Sequence, residues 1–206
     1  MARKKRNISS KPTYVIVVDG ETEVWYFQML KRNEPNLKIN IKPEIASKKR
    51  KKLSDQYYRV LELKETYTKV FWIIDLDVVI KESKEGGNNI QELKNYLNDL
   101  KEFKDVIIIL NNPCLEFWFL LHFEKTTKYF IQCSRTEKQL KKHLPDYKKN
   151  RNYFTKQNND IYIRLKDRLE QAIINSKRTQ RGEVSEFEKG ICEMNLFFEK
   201  LNDPNS

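Results

Sequence analysis

The stretch YVIVVDGETEVWYF, residues 14–27, decides the fold. It opens as an unbroken run of β-branched and aromatic side chains, the composition of a strand buried on both faces. Gly20 then allows a tight turn, and residues 22–32 read as an amphipathic helix rich in aromatics. Strand, turn and helix in that order form the opening unit of an α/β layer. The unit has one unusual feature: the apolar strand runs out into Asp19, Glu21 and Glu23.

The pattern recurs. VFWIIDLDVV, residues 70–79, ends its apolar run in Asp75 and Asp77, and DVIIIL, residues 105–110, supplies a third buried strand. LKINIKPEI, residues 37–45, alternates Leu37, Ile39 and Ile41 with polar residues, which predicts a strand near the sheet edge. Between the strands, Ser54 is a candidate cap for a helix reaching Tyr67. Asn89 and Glu92 make a capping-box start for a helix with Leu93, Leu97 and Leu100 on one face. The Gly86-Gly87-Asn88-Asn89 tract reads as a loop. Buried strands alternating with helices imply an α/β, Rossmannoid, largely parallel sheet with helices on both faces.

Beyond residue 113 the periodicity is helical. It runs through CLEFWFLLHF (114–123), then SRTEKQLKKHL (134–144) with a Ser134/Glu137 capping box, then amphipathic stretches at 160–177 and 185–201. Phe187, Ile191, Met194, Phe198 and Leu201 share one face of the last stretch. The organisation read from these patterns is a basic tail at 1–11, an α/β core at 12–130 and a helical extension at 131–206 packed on the core.

Composition narrows the function classes. With 39% hydrophobic and 12% aromatic residues the 206-residue chain can bury a core, which excludes a disordered protein. A net charge of +11 favours a polyanionic partner, because bound phosphates release counterions. Cys114, Cys133 and Cys192 are odd in number and widely spaced, with no C-x-x-C pair, so a reducing cytoplasm is expected. MARKKRNISSKP lacks the apolar centre of a signal peptide, and no apolar run approaches the roughly 20 residues that span a bilayer. No membrane association is expected.

In open α/β sheets ligands bind outside the carboxyl ends of the strands. If the first and third strands are neighbours, Asp19, Glu23, Asp75 and Asp77 meet there. Carboxylates so gathered repel unless protonated or bridged by cations, and hard oxygen donors suit Mg²⁺ or Mn²⁺. Taken singly, DGETE is more often an acidic first turn that complements a helix dipole, and Glu21 is read as a dipole or solvent residue. Glu116 interrupts an apolar, aromatic helix, where a carboxylate must face water or meet a cation. His122, on the same helix, is more often a satisfied core histidine than a ligand.

Together VVDGETEVWYF, FWIIDLD, NPCLEFWFLLHF and YKKN (147–150) resemble the RloB family, whose core is similar to the Toprim domain of primases, topoisomerases and overcoming-lysogenization-defect nucleases. The resemblance implies a Toprim-like core with a helical extension, found in bacterial antiphage or restriction-associated loci and often encoded beside an ATPase partner. It places the family's first acidic position on Asp19, where an Asp replaces the usual Glu, and its next acid on Glu23. The D-x-D pair falls on Asp75 and Asp77, the aromatic helix motif on Glu116, Trp118 and His122, and the basic residue on Lys149. So mapped, Asp19, Glu23, Asp75 and Asp77 hold Mg²⁺ or Mn²⁺, Glu116 and Lys149 join them in catalysis, and water cleaves a phosphodiester of RNA, tRNA included, or DNA.

KKHLPDYKKNRNYFTK, residues 141–156, interleaves Tyr147, Tyr153 and Phe154 with cations. That pattern suits a nucleic-acid surface formed by Lys148, Lys149, Arg151 and Tyr153, with His122 beside it. SKKRKK at 47–52 is a solvated run or a phosphate grip. Two other readings stand beside the nuclease. One is a non-catalytic module that binds nucleic acid or docks an ATPase. The other is a haloacid-dehalogenase-like phosphatase with Asp75 as nucleophile, which leaves DGETE unexplained. A homodimer is compatible with all three.

Overall fold

The computed structural model of the chain describes residues 13–47, 51–179 and 187–202. Four parallel strands carry the framework: β1 (Tyr14–Val17), β2 (Ile39–Lys42), β3 (Lys69–Asp75) and β4 (Val106–Asn112). A short β5 (Ile191–Cys192) adds antiparallel to β4, giving the order β2-β1-β3-β4-β5. The chain leaves β1 for β2 on one side and later returns to β3 on the other. The strand order therefore reverses between β1 and β3, and a crevice opens beyond their carboxyl ends.

Side-chain alternation divides the core between the two faces. Val15, Val17, Val70, Trp72, Ile74, Ile108 and Leu110 point to one face. It is covered by α2 (Leu53–Lys64), α3 (Leu76–Lys84) and α4 (Asn89–Asp99), which contribute Tyr57, Val60, Val79, Leu93 and Leu97. Tyr14, Ile16, Val18, Phe71, Ile73 and Ile109 point to the other. There the cover is α1 (Glu21–Asn33), α5 (Leu115–Leu121), α8 (Ile161–Leu165) and α10 (Met194–Asn202), with α6 (Cys133–Leu140), α7 (Arg151–Phe154) and α9 (Leu169–Ser176) packed around them. The expectation of a largely parallel α/β sheet covered on both faces holds.

The carboxy-terminal part of the expected extension lies on the sheet itself. Phe197 of α10 sits 4.9 Å from the Phe71 ring of β3 and 5.3 Å from Phe27 of α1. The helix expected at 185–201 is shorter. Residues 187–190 are non-helical, Ile191 is in β5, and Phe187 packs on the opposite core from Phe198. A helical repeat of apolar residues was there, but the β4 edge captured part of it as strand.

Local start signals also went elsewhere. Lys52 precedes α2 and Asn88 precedes α4, and neither makes a side-chain cap, nor does Gln132 before α6. Asn89 instead donates to Glu82, and Ser83 Oγ accepts the Ile90 amide. Gly86, at φ +98°, makes the expected turn between α3 and α4. The basic tail 1–11 and Lys48, Lys49 and Arg50 of the SKKRKK run lie outside the described residues.

The cysteines form a link that the sequence pattern did not announce. Cys114 and Cys133 are joined by a disulfide across 19 residues, and Cys192 is buried and free. No short C-x-x-C spacing announced the pair; the turn from α5 to α6 brings it together. Loop-closure entropy for such a span amounts to about 3 kcal/mol. Among the described residues no helix is long and apolar enough to cross a membrane.

Candidate functional site

A cleft of about 460 Å³ opens at the switch point and is lined by Asp19, Glu23, Asp75, Asp77, Cys114 and Lys149. Each acid arrives by a different local route. Asp19 follows β1, and its Oδ1 accepts the Lys51 amide at 2.7 Å. Glu23 lies in the first turn of α1 and is buried. Its carboxyl occupies space that only a glycine leaves: a Cβ at Gly20 would fall 2.1 Å from Glu23 Oε2. Asp75 is the last residue of β3, and α3 begins at once after it, which throws Asp77 onto the cleft wall. The Asp77 amide is held by the Pro113 carbonyl at 3.0 Å.

Asp75 is engaged at both carboxyl oxygens. Its Oδ2 accepts the Leu115 amide at the start of α5 (3.2 Å), and its Oδ1 faces Asn111 Nδ2 at 3.4 Å. It also lies within hydrogen-bonding reach of Glu23. Burial, then the charges of Glu23, Asp77 and Glu116, hold Asp75 well above the usual carboxylate range, against the pull of Lys149. Burial and the Glu116 charge likewise raise Glu23. Without a cation, this pair relieves its repulsion by keeping a proton.

Glu116 is not a wall of that cleft. It is fully buried, and its Oε1 receives both Lys149 Nζ and the Tyr147 hydroxyl at 2.9 Å. A buried carboxylate in an aromatic helix needs a cation, and here the cation is internal. Burial works against the Lys149 ammonium, yet the charge and hydrogen bond of Glu116, with Glu23 and Asp75 behind it, raise it above the ordinary lysine value. Lys149 keeps 41% of its side-chain surface and lines the cleft, so it reaches both the solvent and the acids.

Other expected site residues stand elsewhere. His122, which ends α5, is buried with Nδ1 2.9 Å from the Trp118 carbonyl, and burial lowers it to about 4. It is a neutral core histidine and touches no nucleic-acid surface. The aromatics of the basic tract are also inside. Tyr153 is buried with its hydroxyl accepting from Arg164 at 3.0 Å, and Tyr147 and Phe154 join the core. Their spacing reflects packing against α1 and α5 rather than base stacking. Lys148 and Arg151 are exposed.

Sequence reasoning missed Tyr147 as a support of Glu116, Asn111 as a neighbour of Asp75, and Cys114 as a cleft residue. Only Cys114 carried a usable signal, standing two residues before Glu116 in NPCLEF.

The donors suit a hard divalent cation in type. The mutual repulsion that raises Glu23 and Asp75 marks a position of negative potential, and the buried Asn111 Oδ1 beside Asp75 has no hydrogen-bond partner among the described residues. The convergence is incomplete. Among the described residues, the group whose ligand atoms all lie within 4.8 Å is Cys114, Glu116 and Cys133, and two of these are spent in the disulfide. Asp19, Glu23, Asp75 and Asp77 share the cleft without three of their oxygens being drawn that close, so side-chain rotation must complete a cation site. Asp19 and Asp75 also border a second cleft of about 400 Å³ with Lys51, Lys52 and Gln56.

A family model described as RloB, RloB-like protein, matches residues 14–201. No curated protein and no solved structure matches the chain significantly.

Proposed function

The chain belongs to the RloB-like protein family, and from that premise and the cleft we propose that it is a metal-dependent nuclease that hydrolyses phosphodiesters of RNA or DNA as an effector of bacterial antiphage defence. The observation that carries this reading is the meeting of Glu23 and Asp75 at the strand-order reversal, with the Lys149 ammonium beside them. Such a site neutralises an anion's charge and holds a proton in the same small space.

Mg²⁺ or Mn²⁺, held by Asp19, Glu23, Asp75 and Asp77, would supply an acidified water and charge neutralisation at the phosphate. The chain's own groups do the rest. Leu115 N and Asn111 fix Asp75 from behind, so its carboxyl does not have to reorganise during the reaction. Gly20 lets Glu23 fold back beside it. Lys149, oriented by Glu116 and Tyr147, offers its ammonium to the oxygens where negative charge grows. Glu116 therefore acts through Lys149, as a positioning residue. Exposed Lys148 and Arg151 flank this point and can hold neighbouring phosphates. A co-encoded ATPase is the proposed partner.

The test is co-expression with the neighbouring genes, followed by sequencing of cleaved RNA and DNA ends from cells carrying the wild type or Asp75→Ala/Asp77→Ala. Wild-type-specific ends of defined sequence support the reading. Identical ends, with the partner function intact in the variant, would make this a docking or binding module. A trapped aspartyl-phosphate on small phosphoesters would instead favour the phosphatase.

A further inference from the structure

The disulfide sits against Lys149. Cys133 Sγ is 3.0 Å from Glu116 Oε2 and 3.7 Å from Lys149 Nζ, and Glu137, one helical turn along α6, is 4.0 Å from the same ammonium. Glu116 Oε1 already takes two donors, Lys149 and Tyr147. Its Oε2 faces a sulfur that, as half of a disulfide, has no proton to give. Cys114, the other half, precedes α5, lines the cleft, and adjoins the Leu115 amide that holds Asp75. One covalent bond thus ties together the two helices that supply Glu116 and Glu137, both ion-paired with Lys149.

We propose that Cys114 and Cys133 form a reversible thiol/disulfide clasp that restrains Lys149 beside Glu116 and Glu137 when closed and gives its ammonium more freedom within the cleft when opened by a low-molecular-weight dithiol. The thiolate of the reductant attacks Cys133, which is half-buried, and forms a mixed disulfide while the Cys114 sulfur leaves and takes a proton. The second thiol of the reductant displaces Cys133, which takes the other proton. The clasp's S–S bond is broken, one S–S bond is formed in the reductant, and two electrons have passed to the protein.

Opening changes the surroundings of Lys149 in two ways. The new Cys133 thiol can donate to Glu116 Oε2, so the carboxylate draws less strongly on the ammonium. The start of α6, no longer tied covalently to α5, can also let Glu137 move away from Lys149. The consequence for catalysis rests on the nuclease reading; the clasp itself does not.

The test uses the full chain and two readouts that need no activity. Maleimide counting after denaturation should find one thiol, Cys192, in protein equilibrated with oxidised dithiol, and all three cysteines after reduction. An amine-reactive ester, read by mass spectrometry, should then label Lys149 severalfold faster in the reduced protein, with exposed Lys148 as an unchanged internal reference. Cys114→Ser/Cys133→Ser should show the fast rate with or without dithiol. Three free thiols under oxidising exchange, or equal Lys149 labelling in both states, overturns the clasp. So does stoichiometric Zn²⁺ uptake by the reduced chain that blocks re-oxidation, which would make Cys114, Glu116 and Cys133 a metal site. A labelling difference with no cleavage in either state upholds the clasp and counts against the nuclease reading.

Discussion

Glu23 and Glu116 are neighbouring buried carboxyls on one side of the sheet, and they are neutralised in opposite ways. Glu116 meets an ammonium and a phenol and is self-sufficient. Glu23 meets another acid, Asp75, and both are driven toward the protonated form. A buried acid ion-paired to an internal cation supports structure, whereas two adjoining acids that repel each other more than Lys149 offsets call for a proton or a divalent ion. The difference separates a supporting residue from a binding one in a way their shared residue type does not.

The comparison breaks most visibly in activity. Asp75→Asn should lower cleavage at least about a hundredfold while raising thermal stability, because it removes one of two mutually repelling carboxyls. Glu116→Gln should do the reverse in stability. It strips the buried partner from Lys149 and leaves Tyr147 a weaker acceptor, costing about 2 kcal/mol after allowance for the exposure of the lysine. Chemical denaturation of the two variants side by side checks the contrast.

The response to pH sharpens it. His122 is held near 4, below its ordinary 6.5, so the unfolded chain binds its proton more readily. Its contribution is present above pH 6.5 and is lost as pH falls toward 4, up to about 3 kcal/mol. Glu23 and Asp75 hold protons more tightly when folded, so their contribution is present at low pH and is lost as pH rises through their elevated values. His122→Leu should therefore flatten the acid limb of the stability profile, and Asp75→Asn the limb above the ordinary carboxylate range. The smallest effect is expected from Gly20→Ala. Its Cβ displaces the Glu23 carboxyl, a flexible group, for about 1 kcal/mol, and the change should show more clearly in weakened Mn²⁺ affinity than in stability.

Much of the framework was legible because periodicity and burial agree there. YVIVV, VFWII and VIIIL are buried on both sides and could only be interior strands, and Asp19 and Asp75 follow them at the one end where helices begin. What stayed hidden depends on contacts distant in sequence. Tyr147 and Tyr153 carry polar atoms, so they read as surface groups until packing showed their rings inside and their hydroxyls satisfied by Glu116 and Arg164, whereas His122 is the satisfied core histidine that its residue type favoured, bonded to the Trp118 carbonyl. Glu116 read as a catalytic acid, because nothing local predicts that Lys149, 33 positions later, would be the cation that meets it. The cysteine pair was hidden for the same reason.

The central claim is that Glu23 and Asp75 form a cation site. Crystals of the full chain soaked in Mn²⁺ and measured for anomalous scattering test it most directly. The account predicts a peak bounded by Glu23 and Asp75, with Asp19 or Asp77 turned toward it, that vanishes in Asp75→Asn. No peak in the cleft at saturating Mn²⁺, or one that survives that substitution, would contradict it.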